Sequence, residues 1–110
     1  MPELTVFGAA TLSEGKTQTF SLAETPAREG FVVRHEGRLL AYVNECPHWG
    51  VELDLGDGHF FDEELKRVYC KNHGALFVLP SGACETGPCM GRSLLRLSLR
   101  VDGQNVVVKS

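Results

Sequence analysis

The sequence predicts an all-β domain, a small antiparallel β framework carrying a long insertion of loops. Three observations predict it. The strongest hydrophobic periodicities have period two, glycine-containing pairs split apolar runs into hairpins, and no segment shows the spacing of a convincing amphipathic helix. No internal repeat, low-complexity tract or Pro/Ser-rich linker interrupts the 110 residues, so residues 1–110 read as one domain.

In chain order, Leu4 to Phe7 and Thr17 to Leu22 are short strand candidates separated by the polar Ser13-Glu14-Gly15. The runs Phe31 to His35 and Arg38 to Val43 flank Glu36-Gly37 and read as a hairpin, because a two-residue loop ending in Gly supplies the positive φ that such turns need. From Asn44 to Gly91 the character changes. This stretch holds all four Cys, three of the four His, three of the five Pro and seven Gly, a density of punctuation that breaks regular structure. A loop that long inside a small domain is usually kept for function. Within it, Lys66 to Tyr69 reads as a strand, and Asp62 to Val68 as one helical turn or a polar loop. Further on, Leu95, Leu97, Leu99 and Val101 alternate with Arg96, Ser98 and Arg100, the pattern of a strand with one buried face. Asp102-Gly103 then turns the chain into Val106-Val107-Val108, closing a second hairpin.

Composition removes several classes of function. Eleven Lys and Arg against fourteen Asp and Glu give a net charge of -3, the wrong sign for a surface that neutralises nucleic-acid phosphates. A hydrophobic fraction of 43% with 23% charged residues excludes a disordered chain. No apolar run approaches the roughly 20 residues that cross a bilayer, and Met1-Pro2-Glu3-Leu4-Thr5 lacks the basic and then apolar start of a secretory signal. The expectation is a cytoplasmic protein with no membrane partner. In a reducing compartment, four Cys point to a metal site before two structural disulfides.

Two clusters carry that expectation: Cys46-Pro47-His48 and Cys70-Lys71-Asn72-His73, with 21 residues between His48 and Cys70. Each puts one thiol and one imidazole on a tight loop, and each follows a predicted strand, Leu40 to Val43 and Lys66 to Tyr69. Two rigid elements thus aim two loops at one point. The bland reading is two unrelated buried Cys and two surface His. Zinc sites of the Cys/His kind usually group like ligands, whereas here each loop mixes them. A mixed pair of loops suits a binuclear cluster with unlike ends.

Cys46-Pro47-His48 with Cys70-Lys71-Asn72-His73-Gly74 resembles the paired signature of Rieske iron-sulfur domains. Tyr42-Val43-Asn44 before the first loop, Ala75-Leu76-Phe77 after the second and Gly87-Pro88-Cys89, similar to that family's cluster-shielding proline loop, extend the resemblance from Phe31 to the C-terminus. The spacing of 21 residues departs from the family's roughly 15 to 17, with the surplus assigned to residues between Asp57 and Lys66. The resemblance implies a Rieske-like sandwich with a cluster-binding insertion at about residues 44–91. It also implies a 2Fe-2S cluster with Cys46 and Cys70 on the inner iron and His48 and His73 on the outer one. By function it implies a soluble one-electron carrier rather than an enzyme. Electrons would come from a flavin-dependent NAD(P)H reductase and go to a terminal oxygenase, since the chain has no nucleotide-binding Gly-rich loop of its own.

High-potential relatives pair two further Cys across the ligand loops and place a Ser and a Tyr after the second. Here those positions are Val51, Asn72, Ala75 and Phe77, so the expected potential lies near the low end of the family's range, about -150 mV. The outer ring nitrogens of His48 and His73 imply a potential that falls with pH in the alkaline range.

Other residues keep bland readings beside functional ones. Cys84 and Cys89 read as a short disulfide or as two buried thiols, with cluster ligation as a further alternative. Trp49 reads as packing over its loop or as a docking residue, and His35 and His59 as structural or surface residues. Glu52, Asp54, Asp57, Asp62, Glu63 and Glu64 precede any Lys or Arg until Lys66, which gives a solvated face or a docking surface for basic redox partners. Two competing functions remain: a fixed Rieske subunit of a larger reductase, such as a nitrite reductase small subunit, and a zinc-stabilised interaction module. Colour separates the last from the others, since iron-sulfur proteins are red-brown and zinc proteins colourless.

Overall fold

A computed structural model describes residues 3–22, 28–45, 47, 53, 60–62, 64–70, 74–87 and 91–109. Among them run ten strands: β1 (Glu3–Val6), β2 (Thr17–Leu22), β3 (Arg28–His35), β4 (Arg38–Val43), β5 (Phe61–Asp62), β6 (Arg67–Tyr69), β7 (Leu76–Phe77), β8 (Cys84–Thr86), β9 (Arg96–Asp102) and β10 (Asn105–Lys109). A 3-10 turn at Ala9–Thr11 is the one helical element among the described residues. The strands form two antiparallel sheets, a large one in the order β1-β10-β9-β4-β3-β2 and a small one in the order β5-β6-β7-β8. The all-β class read from the sequence is the observed one.

Turn chemistry sets the register of the large sheet. Glu36 and Gly37 take φ of 52° and 79°, the left-handed pair that matches the right-handed twist of the flanking strands, so His35 faces Arg38 and Gly30 faces Val43. The Glu14 carboxylate accepts both turn N–H groups, from Glu36 at 2.6 Å and Gly37 at 2.9 Å. β4 joins the closing hairpin through Ala41 opposite Leu97 and Tyr42 opposite Arg96.

β3 and β4 are buried on both faces, which explains why they read as continuous apolar runs instead of alternating ones. Val32, Ala41 and Val43 look into one core with Val6, Leu22, Leu97, Val106 and Val108. Phe31, Val33, Leu40 and Tyr42 look into the other, whose far side is Leu53, Phe60, Val68, Cys70, Ala75, Phe77 and Leu94. Phe31 anchors that second core, stacking on Phe60 at a centroid distance of 4.2 Å and lying 5.6 Å from the Tyr42 ring.

The structure corrects several details. The insertion is more than loops, since it folds part of its length into the small sheet; β7 and β8 are too short to show a periodicity. Asp62 to Val68 carries the expected single turn, closed by the Lys66 N–H on the Asp62 carbonyl with Glu64, Leu65 and Lys66 exposed, and that turn is the reversal between β5 and β6. Asp62 closes it by accepting N–H groups from Glu64 and Leu65 on its carboxylate and from Lys66 on its carbonyl. Lys66 takes a φ of 56° in that reversal, so the strand begins at Arg67. The last turn is Gly103-Gln104, one residue later than expected, because Asp102 still pairs with Asn105. In β9, Leu97 is buried and Leu99 packs half-buried against the same core, but Val101 at its far end and Leu95, just before the strand, are 57% and 59% exposed. His35 is the last residue of β3 and is buried, edge-on to Phe61 at 5.8 Å.

Candidate metal centre

Both strands expected to aim the Cys/His loops are present. β4 ends at Val43, just before Asn44 to His48, and β6 ends at Tyr69, just before Cys70. Of the four residues singled out as ligands, Cys70 lies within the described residues; Cys46, His48 and His73 lie outside them, as do Trp49, His59 and Cys89.

Cys70 is fully buried. Its backbone is clasped from one side, its N–H donating to the Ala75 carbonyl at 2.9 Å and its own carbonyl accepting the Gly74 N–H at 2.8 Å. Gly74 makes this tight reversal possible with a φ of 71°. Around the residue lie apolar side chains of the second core, including Ala75 and Phe77. A thiolate in such surroundings is stable only with a cation or a metal bound to it. The loop bearing Gly87 covers the same reversal: with a φ of 103°, Gly87 approaches so closely that a Cβ there would come within 2.9 Å of the Ala75 Cα. The resemblance of Gly87-Pro88-Cys89 to a shielding loop therefore has a described contact at Gly87.

The first loop is braced by residues that the sequence did not advertise. Asn44 is buried, and its Oδ1 accepts the Leu53 N–H at 2.8 Å, tying the two ends of an eight-residue stretch. Its backbone N–H donates to the Glu29 carbonyl at 2.8 Å. Beside it, Glu45 receives both arms of the Arg28 guanidinium at 3.0 Å, a planar two-point match. From the other direction Arg92 donates from Nη1 to the Pro47 carbonyl at 2.9 Å. An Asn directly after a strand is a loop-closing signal that could have been weighed. Arg28, Glu45 and Arg92 carry no such signal, because their partners are remote in sequence.

Three further features frame the centre. Tyr42 reaches across to donate its hydroxyl to the Pro80 carbonyl, and burial pushes its pKa up to about 12, so the phenol keeps its proton. On the outer face Arg67 and Glu85 form a two-point ion pair at 3.1 and 3.2 Å, which holds the Glu85 carboxyl below its ordinary value. The Cys84 thiol donates to the Thr86 carbonyl at 3.2 Å, in keeping with the buried-thiol reading of that residue. Of the acidic run, Asp62 closes the β5–β6 reversal and Glu64 is exposed; Glu52, Asp54, Asp57 and Glu63 lie outside the described residues. No helix among the described residues is long and apolar enough to cross a membrane.

Comparison with known proteins agrees with this arrangement. The chain is 29% identical over 104 residues to the ferredoxin component of the alkene monooxygenase system of Xanthobacter autotrophicus (strain ATCC BAA-1158 / Py2), covering 88% of this chain and 72% of that one. Its fold matches the ferredoxin of carbazole 1,9a-dioxygenase from Nocardioides aromaticivorans IC177 with a TM-score of 0.75 and 26% identity, over 98% of this chain and 97% of that chain. It also matches the fold of Sphingomonas yanoikuyae B1 ferredoxin, with a TM-score of 0.73 and 21% identity over 99% of both chains. The model of the Rieske [2Fe-2S] domain matches residues 3–108, and the chain belongs to that family, whose cofactor is a two-iron, two-sulfide cluster.

Proposed function

We propose that this chain is a cytoplasmic one-electron carrier, a Rieske-type ferredoxin that feeds a terminal oxygenase, and that Cys46, His48, Cys70 and His73 hold its cluster. The observation that carries the reading is Cys70: a fully buried thiol at the end of β6, within a backbone reversal and under the Gly87 loop. Its relatives among ferredoxin components of a monooxygenase and a dioxygenase support the role.

When bound, the cluster supplies a site that gains and loses one electron. The chain supplies the rest. Thiolates of Cys46 and Cys70 would hold one iron and imidazoles of His48 and His73 the other. Two thiolates instead of four leave the oxidised group neutral, which eases electron uptake relative to an all-Cys cluster. The apolar core around Cys70 keeps water from the inner side, while Ala75 and Phe77, both buried, offer no hydroxyl to the sulfurs. The potential therefore stays near the low end of the family's range, about -150 mV. A flavin-dependent NAD(P)H reductase suits such an acceptor as donor, and the excess of acidic residues along the sequence from Glu52 to Glu64 suits a basic partner whose encounter weakens with salt.

The test is analysis of the anaerobically purified chain. Equal amounts of iron and acid-labile sulfide, a Rieske-type paramagnetic signal on reduction and a midpoint near the low end are expected. A colourless zinc protein overturns the assignment, and a midpoint above about +100 mV overturns the reading of the neighbours.

A further inference from the structure

Arg92 is the side chain whose position calls for a functional account. Its backbone belongs to the small sheet's side of the molecule. The Arg92 carbonyl accepts the Cys84 N–H at 2.8 Å, Ser93 bridges to Ala83, and the Leu94 N–H donates to the Gly82 carbonyl at 2.8 Å. From this stitched segment the guanidinium reaches the Pro47 carbonyl, 45 positions away in the chain. Pro47 stands between Cys46 and His48, on the loop that leaves β4 of the large sheet. The second Cys/His loop leaves β6 of the small sheet. The hydrogen bond thus joins the two bodies that must present their ligands to one group.

We infer that Arg92 is a positioning residue for the first ligand loop, one that fixes the Pro47 peptide plane and sets a permanent positive charge beside the electron site. The inference rests on the ligand assignment proposed above. A carbonyl held by a guanidinium is biased toward one orientation, so the peptide between two ligands swings less. The charge acts in a second way. Uptake of an electron adds one negative charge, and a nearby cation stabilises the more negative state. Arg suits both tasks, because its planar fork stays charged at every working pH and is better fixed than an ammonium on a flexible stem.

Two substitutions separate these effects from a merely structural one. Arg92→Met keeps the length and removes donor and charge; Arg92→Lys keeps the charge. Both are made in the full chain with its cluster, and the midpoint potential and the rate of iron release to a chelator are read beside the urea midpoint. Arg92→Met is expected to shift the reduction equilibrium about threefold toward the oxidised form, about 30 mV at 59 mV per tenfold, and to speed iron release severalfold. Arg92→Lys is expected to recover at least half of the potential shift. An Arg92→Met protein with unchanged potential, or an Arg92→Lys protein that falls as far, overturns the inference while the ligand assignment stands. A wild-type chain that binds no iron overturns the assignment itself.

Discussion

The β3–β4 hairpin pairs six residues on each strand, whereas no strand of the small sheet exceeds three. The large sheet draws its shape from long backbone ladders and a two-residue turn whose φ values fit the strand twist. The small sheet has too little ladder for that. It is held by close backbone approach at Gly87, by side chains that close its reversals, Tyr42 at the Pro80 carbonyl and Asp62 at the Glu64 and Leu65 N–H groups, and by the aromatic wall lent to it by the hairpin. A region that must wrap a prosthetic group cannot be all ladder, because ladder would fill the space. The framework takes over the ordering that the site gives up.

Breaking the shared wall has the largest expected effect. Phe31 serves both regions through its strand and its stack on Phe60, so Phe31→Ala should cost about 3–5 kcal/mol, read as the fall in unfolding free energy in urea. The comparison predicts that circular dichroism and cluster colour are lost together. Removing a brace peculiar to the insertion has a smaller and more local effect. Asn44→Ala leaves the buried Leu53 N–H without its acceptor, a loss of about 1–3 kcal/mol, and hydrogen exchange should quicken at Leu53 while the amides of the β3–β4 ladder keep their protection.

The smallest effect belongs to the turn of the large sheet and appears only in acid. Glu14 is held below its ordinary 4.5, first by the Gly37 N–H and then by that of Glu36. Its folded value is lower than its unfolded one, so these bonds stabilise the fold above pH 4.5, and that contribution is lost as pH falls through the folded value. Glu14→Gln should therefore flatten the decline of the urea midpoint between pH 5 and pH 3, with little change in cluster signals; an identical decline in both proteins would show that the turn does not use this carboxylate.

The same divide governs what the sequence reveals. Glu36-Gly37 and the runs beside it are local signals, and the hairpin stands where they place it. The ligand pairs are equally local: one thiol and one imidazole within four positions, each pair after a strand, make the family legible from the chain alone. Of the small sheet only β6 is legible, as Lys66 to Tyr69; the two-residue β5 and β7 carry no period, although their partners lie within ten positions along the chain. The alternation at Leu95 and Val101 misleads for a related reason, since period two marks a face without saying how far the covering core extends. Asn44, Arg28 and Arg92 act through partners 9, 17 and 45 positions away, and composition cannot announce such pairings.

Neighbours along β4 answer to different interiors, Leu40 and Tyr42 to the side that bears Cys70, Ala41 and Val43 to the opposite one. Mutational drift at one pair of positions can remodel the surroundings of the electron site while the other pair keeps the framework foldable. A single strand thereby acts as a partition, letting redox tuning and folding evolve on separate accounts.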